Sequence, residues 1–146
     1  MTNQNSSKAL NTTLWAAQIF LAIVFFITGA GKLFLPMENL YALIPWTKDV
    51  NSLPVRLIGF SEIMGSIGLI LPSLLRIKPW LTPLVAIVIA VIMLLAIFFN
   101  ISLGETSVIG LNIILFLIAI FVAWGRFKKS AISPKYHLRR LTLNQK

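Results

Sequence analysis

Residues 81–99 read LTPLVAIVIAVIMLLAIFF, nineteen positions without a charge. A helix of that length is about the thickness of a bilayer's hydrocarbon core, which takes roughly 20 residues to cross. The surrounding chain has the same character. Of its 146 residues 58% are apolar, only 12% are charged, and just four are acids. That charged share is about half of what a soluble domain carries, so a water-soluble helical core is set aside. Mean hydropathy is +0.88.

Three more stretches are long enough to span. The expected set is 14–35, 54–75, 80–100 and 108–124, an all-α integral membrane four-helix bundle occupying residues 1–126. A basic segment, 127–146, follows it. Strand-length alternation of polar and apolar residues is lacking, and an open sheet cannot span lipid. Pro36 stops the first span, while Pro54 and Trp80 lie at or near the starts of the next two. Thr12 or Thr13 is the expected cap of the first helix. Trp46, Trp80 and Trp124 fall where an interfacial aromatic belt belongs. The first apolar run is too long, and too poor in a cleavage site, for a removable signal peptide.

Charge sets the expected orientation. Four spans bring the N-terminus, the 72–80 turn and the C-terminal segment to one side, with ten of the thirteen basic residues and no acid. Positive residues collect on the cytoplasmic side, so both termini are expected in the cytoplasm of a multi-pass cell-membrane protein. The basic C-terminal segment then reads as a topology anchor. Nucleic-acid binding has no module to support it.

The chain has no cysteine and a single histidine, His137. Thiol catalysis, disulfides and cysteine-ligated metal sites are excluded, as is an internal bis-histidine haem. No nucleophile–base pair or metal-ligand set can be assembled, so catalysis by this chain alone is not expected.

Polar residues inside the spans are the remaining candidates. The stretch GFSEIMGSIGLILP (59–72) carries Glu62 among apolar and small residues. Glu62 lies eight residues beyond Pro54, roughly 12 Å at helical rise. Lys32 lies near the end of the first span, Asn100 at the end of the third, and Asn112 just inside the fourth. All four fall in the half of the bilayer expected to face outward. Phe25, Thr28 or Gly29, and Lys32 share one helix face, and so do Gly59, Glu62 and Ser66. Ser61 and Gly65 form a small-xxx-small pair that lets backbones approach. An unpaired charge in hydrocarbon costs at least ~2.5–3.5 kcal/mol. Glu62 is therefore either ionised and paired with Lys32, with Arg56 the second candidate, or protonated and hydrogen-bonded to a serine or asparagine. Phe25, Phe26, Phe60 and Phe99 are the expected aromatic wall of a pocket, with Gly29 and Gly59 in its lining.

At these residues the sequence resembles the DoxX-like family of small four-span membrane proteins. The carriers are FFITGAGKLF (25–34), LIPW (43–46), GFSEIMGSIGLILP (59–72), LAIFFN (95–100) and Gly104–Glu105. Their order and spacing, rather than any one piece, make the resemblance. Relatives often carry histidine where this chain has Asn100, a departure that weakens any proposal of metal or proton chemistry there. The resemblance implies a helical bundle with Lys32 and Glu62 in its outer half. Some relatives are subunits of a thiosulfate:quinone oxidoreductase, others accompany membrane redox-stress systems, and a distant one assists receptor-channel assembly. The expectation is a quinone- or lipid-binding accessory subunit of a membrane redox system, without a covalently bound cofactor or metal. Its partners would be membrane lipids, redox subunits or further copies of the chain. The alternatives are an interaction or assembly factor without a small ligand, and a small-solute or proton transporter.

Overall fold

The computed structural model describes residues 2–78 and 80–129, and side chains within that range from Ser6 to Lys128. Most of the basic segment, including Lys135, His137, Arg139, Arg140 and Lys146, lies outside the described residues. All regular structure among the described residues is helical. Helix α1 runs Thr2–Phe34, α2 Met37–Leu43, a 3₁₀ turn Pro45–Asp49, α3 Ser52–Leu75, α4 Leu81–Ser102 and α5 Ile109–Trp124. A π turn, Gly125–Lys129, continues α5.

Four of these helices, α1, α3, α4 and α5, are long and apolar enough to cross a membrane. The spans fall within a few residues of the expected ones, except at the start of α1. No proline or glycine interrupts residues 2–28, so the helix continues far upstream of Leu14. Thr12 and Thr13 are consequently not caps. Their hydroxyls donate to the carbonyls of Lys8 (3.0 Å) and Ala9 (2.9 Å), one turn back inside the helix.

The helices close a ring in which α1 packs on α3, α3 on α4, α4 on α5 and α5 back on α1. Leu21 and Phe25 of α1, Leu69 of α3, Ile89 and Met93 of α4, and Leu115 and Val122 of α5 form the core. Large side chains facing outward, such as Ile27, Leu71, Leu95, Phe98 and Leu117, remain exposed. Such a surface would be a liability in water and is the expected one against lipid tails. One end of the bundle holds the start of α1, the end of α5 and the α3–α4 turn. The other, the loop end, holds the 35–51 and 103–108 connections. Across the 35–51 connection, Leu40 and Thr47 are buried and Trp46 packs edge-on against Phe99 of α4, centroids 5.8 Å apart. Trp46 thus serves the packing of the loop onto the bundle.

The closest helix approach is α1 against α3. A Cβ at Gly29 would lie 2.7 Å from the Gly59 carbonyl oxygen, and a Cβ at Gly59 2.8 Å from that of Gly29. Only glycine fits this reciprocal backbone contact. Ser61, expected to share such a role with Gly65, is exposed and donates to the Leu57 carbonyl of its own helix. The tight pair is offset because Ser61 falls outside the buried register of α3, which runs Val55, Gly59, Glu62, Ser66, Leu69, Ser73.

Gly59→Ala should therefore lower the melting temperature of the detergent-solubilised protein by several degrees, an overpacking cost of about 1–3 kcal/mol. Gly65→Ala should be neutral or slightly stabilising, since its Cβ would sit 3.9 Å from Ile89. Equal melting temperatures for the two variants would contradict the assignment.

Candidate functional site: the buried ion pair of the α1–α3 seam

The seam is built by two matching registers. Leu14, Gln18, Leu21, Phe25, Gly29 and Lys32 of α1 are buried at spacings of three or four residues, as are the α3 residues named above. Where Gly29 and Gly59 bring the backbones together, Lys32 and Glu62 are one turn or less away. The Lys32 Nζ donates to Glu62 Oε1 in a direct salt bridge. Each of the two side chains is only 10% exposed. Arg56 Nη1 donates to the Lys32 backbone carbonyl at 2.7 Å. That carbonyl lies in the last turn of α1, where no intrahelical donor follows. The Arg56 charge therefore serves the end of α1 instead of Glu62.

Glu62 Oε2 is buried and has no hydrogen-bond partner among the described residues. The same holds for Asn100 Oδ1, whose Nδ2 donates to the Ala96 carbonyl at 2.7 Å. The two orphaned atoms are both acceptors. They are not level. Gly65 lies nearest Ile89 and Gly68 nearest Val85, which aligns Asn100 with the start of α3, roughly 12 Å nearer the loop end than Glu62 at helical rise.

Other expected site residues are placed differently. The Thr28 hydroxyl donates to the Val24 carbonyl (2.9 Å) and that of Ser66 to the Ile63 carbonyl (2.8 Å), so neither hydrogen atom is directed to Glu62. Asn112 is partly buried near the start of α5. Phe25 belongs to the apolar core. The expected aromatic wall does not form around the pair, because Phe26 and Phe60 are 52% and 53% exposed and Phe99 is exposed too. Phe26 and Phe60 each follow a seam residue by one position, and a 100° step turns them toward lipid.

A second polar cluster lies at the opposite end of the bundle, where α1 begins and α5 ends. Fully buried Gln18 donates from Nε2 to the Leu69 carbonyl (3.0 Å) and to Ser73 Oγ (3.2 Å). Its Oε1 accepts from Arg126 Nε at 2.5 Å, and Arg126 Nη1 donates to Asn11 Oδ1 at 2.7 Å. Ser73 and Thr82 share a hydroxyl–hydroxyl bond of 2.6 Å, and the Arg126 guanidinium lies 5.2 Å from the Trp15 ring centre. The cluster ties α1, α3, α4 and the π turn together. Gln18 is a polar residue within an apolar span, and nothing local in the sequence links it to Arg126, 108 positions away.

Two outward grooves flank the seam. One, of about 440 Å³, is lined by Ile19, Ala22, Ile23, Phe26 and Ile27 of α1 and by Ser66, Ile67, Ile70 and Leu71 of α3. The other, of about 470 Å³, lies between α1 and α5. Among the described residues no group of three or more His, Cys, Asp or Glu could hold a metal ion.

A ring of four apolar helices of spanning length, with a buried ion pair between two of them, defines a multi-pass integral membrane protein. The chain belongs to the DoxX-like family, whose sequence model matches residues 16–122 and so includes Gln18, Lys32 and Glu62 but not Asn11, Trp15 or Arg126. No curated protein and no solved structure matches it.

Proposed function

We propose that this chain is an accessory membrane protein that holds the polar head group of a quinone or a lipid beside Glu62. The observation that supports this reading is the orphaned Glu62 Oε2, a carboxylate oxygen buried in the bundle without a partner. Leaving a buried charged acceptor unmet costs about 1–3 kcal/mol or more. A pair that only fixed helix register would gain by meeting both oxygens. Lys32 holds the negative charge in place, and Gly29 and Gly59 set the distance across which it does so. With no redox centre among its residues, the chain would receive or deliver such a ligand for partner subunits.

A second reading, docking of a partner's transmembrane helix, is favoured by the two apolar grooves beside α1. A proton or solute path through the bundle has less support, because the Leu21, Phe25 and Leu69 layer separates the two polar clusters. The charge distribution supports termini in the cytoplasm.

Two measurements follow. In discs of native membrane, wild-type protein should retain a stoichiometric quinone or lipid by mass spectrometry, and Glu62→Gln should reduce it at least about tenfold, the equivalent of one charge-assisted hydrogen bond. Unchanged retention in a folded Glu62→Gln protein rejects the ligand reading. Reporter fusions at both ends should show cytoplasmic activity, and a periplasmic or external signal from either would reverse the orientation.

A further inference from the structure

The donor and acceptor inventory around the ion pair goes further than the presence of a ligand. Asn100 Nδ2, the Thr28 and Ser66 hydroxyl hydrogens and Arg56 Nη1 are all engaged with backbone carbonyls. The buried side-chain atoms left without a partner at the loop end, among the described residues, are both acceptors, Glu62 Oε2 and Asn100 Oδ1, while Lys32 Nζ uses one of its three donors on Glu62 Oε1. A carbonyl head group can accept from the Lys32 ammonium but, bringing only acceptors itself, leaves both orphaned atoms unmet. A hydroxyl donates to the carboxylate, and its oxygen can accept from the adjacent Lys32 ammonium.

The place for an apolar tail is adjacent. The crossing at Gly29 and Gly59 aligns Ile27 with about residue 61 on α3. The groove of about 440 Å³ therefore ends, at Ile27 and Ser66, level with Glu62. Its volume is within the ordinary range for a small-molecule site, roughly 300–1,000 Å³. Ser66 lines it one helical turn from Glu62, on the same face of α3.

Building on the ligand reading above, we infer that the site selects a tailed amphiphile with a hydroxyl-bearing head group, so that a hydroquinone is held in preference to its quinone. The hydroxyl donates to Glu62 Oε2, and the tail lies along the α1–α3 groove between Ala22 and Ile70. The dihydroxy ring's second hydroxyl lies on the far edge of the head group; Asn100 Oδ1, roughly 12 Å nearer the loop end than Glu62 at helical rise, is beyond its reach. No redox step is required of this chain, since the reduced head group is only bound.

The test uses full-length protein in lipid discs under anaerobic conditions, titrated with a prenylated hydroquinone, the matching quinone and a diacylglycerol. The hydroquinone should bind at least about tenfold more tightly than the quinone, a difference matching one unmet buried acceptor. Glu62→Gln should erase that preference. Ala22→Phe, which fills the groove without touching the ion pair, should weaken the tailed hydroquinone several-fold and serves if Glu62→Gln does not fold. Tightest binding of the diacylglycerol also supports a hydroxyl donor and assigns its source to lipid. Equal binding of both redox forms, or tighter quinone binding, overturns the inference while leaving retention at Glu62 intact. Binding of none of the probes, with endogenous ligand retention unaffected by Glu62→Gln, overturns the underlying reading as well.

Discussion

The Lys32–Glu62 salt bridge is the constraint around which the rest of the bundle is arranged. Either charge alone in hydrocarbon is costly, and two charges offset that cost only if they meet directly. At this level α1 and α3 lie closer than ordinary side chains allow. The reciprocal Gly29–Gly59 approach provides this closeness one turn or less from both charged residues. Arg56 then meets the Lys32 carbonyl at the end of α1. The 35–51 connection packs back on the bundle end through Leu40, Thr47 and Trp46.

The seam is polar at both ends and dry between them. At the loop end one carboxylate oxygen is left unmet. At the other end Gln18 uses both its amide nitrogen and its oxygen, bonding α3 and the π turn after α5. The contrast separates two roles. The Gln18 cluster reads as a clamp, because its hydrogen bonds run between helices and close the ring where α1 meets α5. The Glu62 end reads as a site, because the same α1–α3 contact leaves acceptor capacity unused beside an outward groove. A π turn at the end of α5 accompanies the entry of Arg126 into the bundle, where it is buried beside Trp15.

Much of this architecture is legible in the residues alone. Long charge-free runs mark the spans, since lipid leaves no alternative to a helix for a single apolar segment. The spacing of Gly59, Glu62 and Ser66 marks the face of α3 that is buried, and Lys32 is the long cation nearest to it on α1. Contacts between distant residues are less legible. Nothing local in the sequence joins Gln18 to Arg126, and nothing distinguishes Gly29–Gly59 from Ser61–Gly65 as the close contact until the register of both helices is known. The aromatic residues show the same limit. Phe26 and Phe60 are one position away from seam residues, and that single step places them in lipid instead of around the acid. Thr12 and Thr13 resemble caps only if the helix begins at the apolar boundary, whereas the polar residues before them have no glycine or proline to stop it.

The central claim is that Lys32 and Glu62 each depend on the other inside the bundle. A double-mutant cycle in lipid discs tests it most directly, using Lys32→Met, Glu62→Met and the two combined, with unfolding free energy as the readout. Each single substitution should cost about 3–5 kcal/mol by leaving an uncompensated buried charge, while the double variant should recover most of that loss. Single costs that simply add in the double variant would contradict the account.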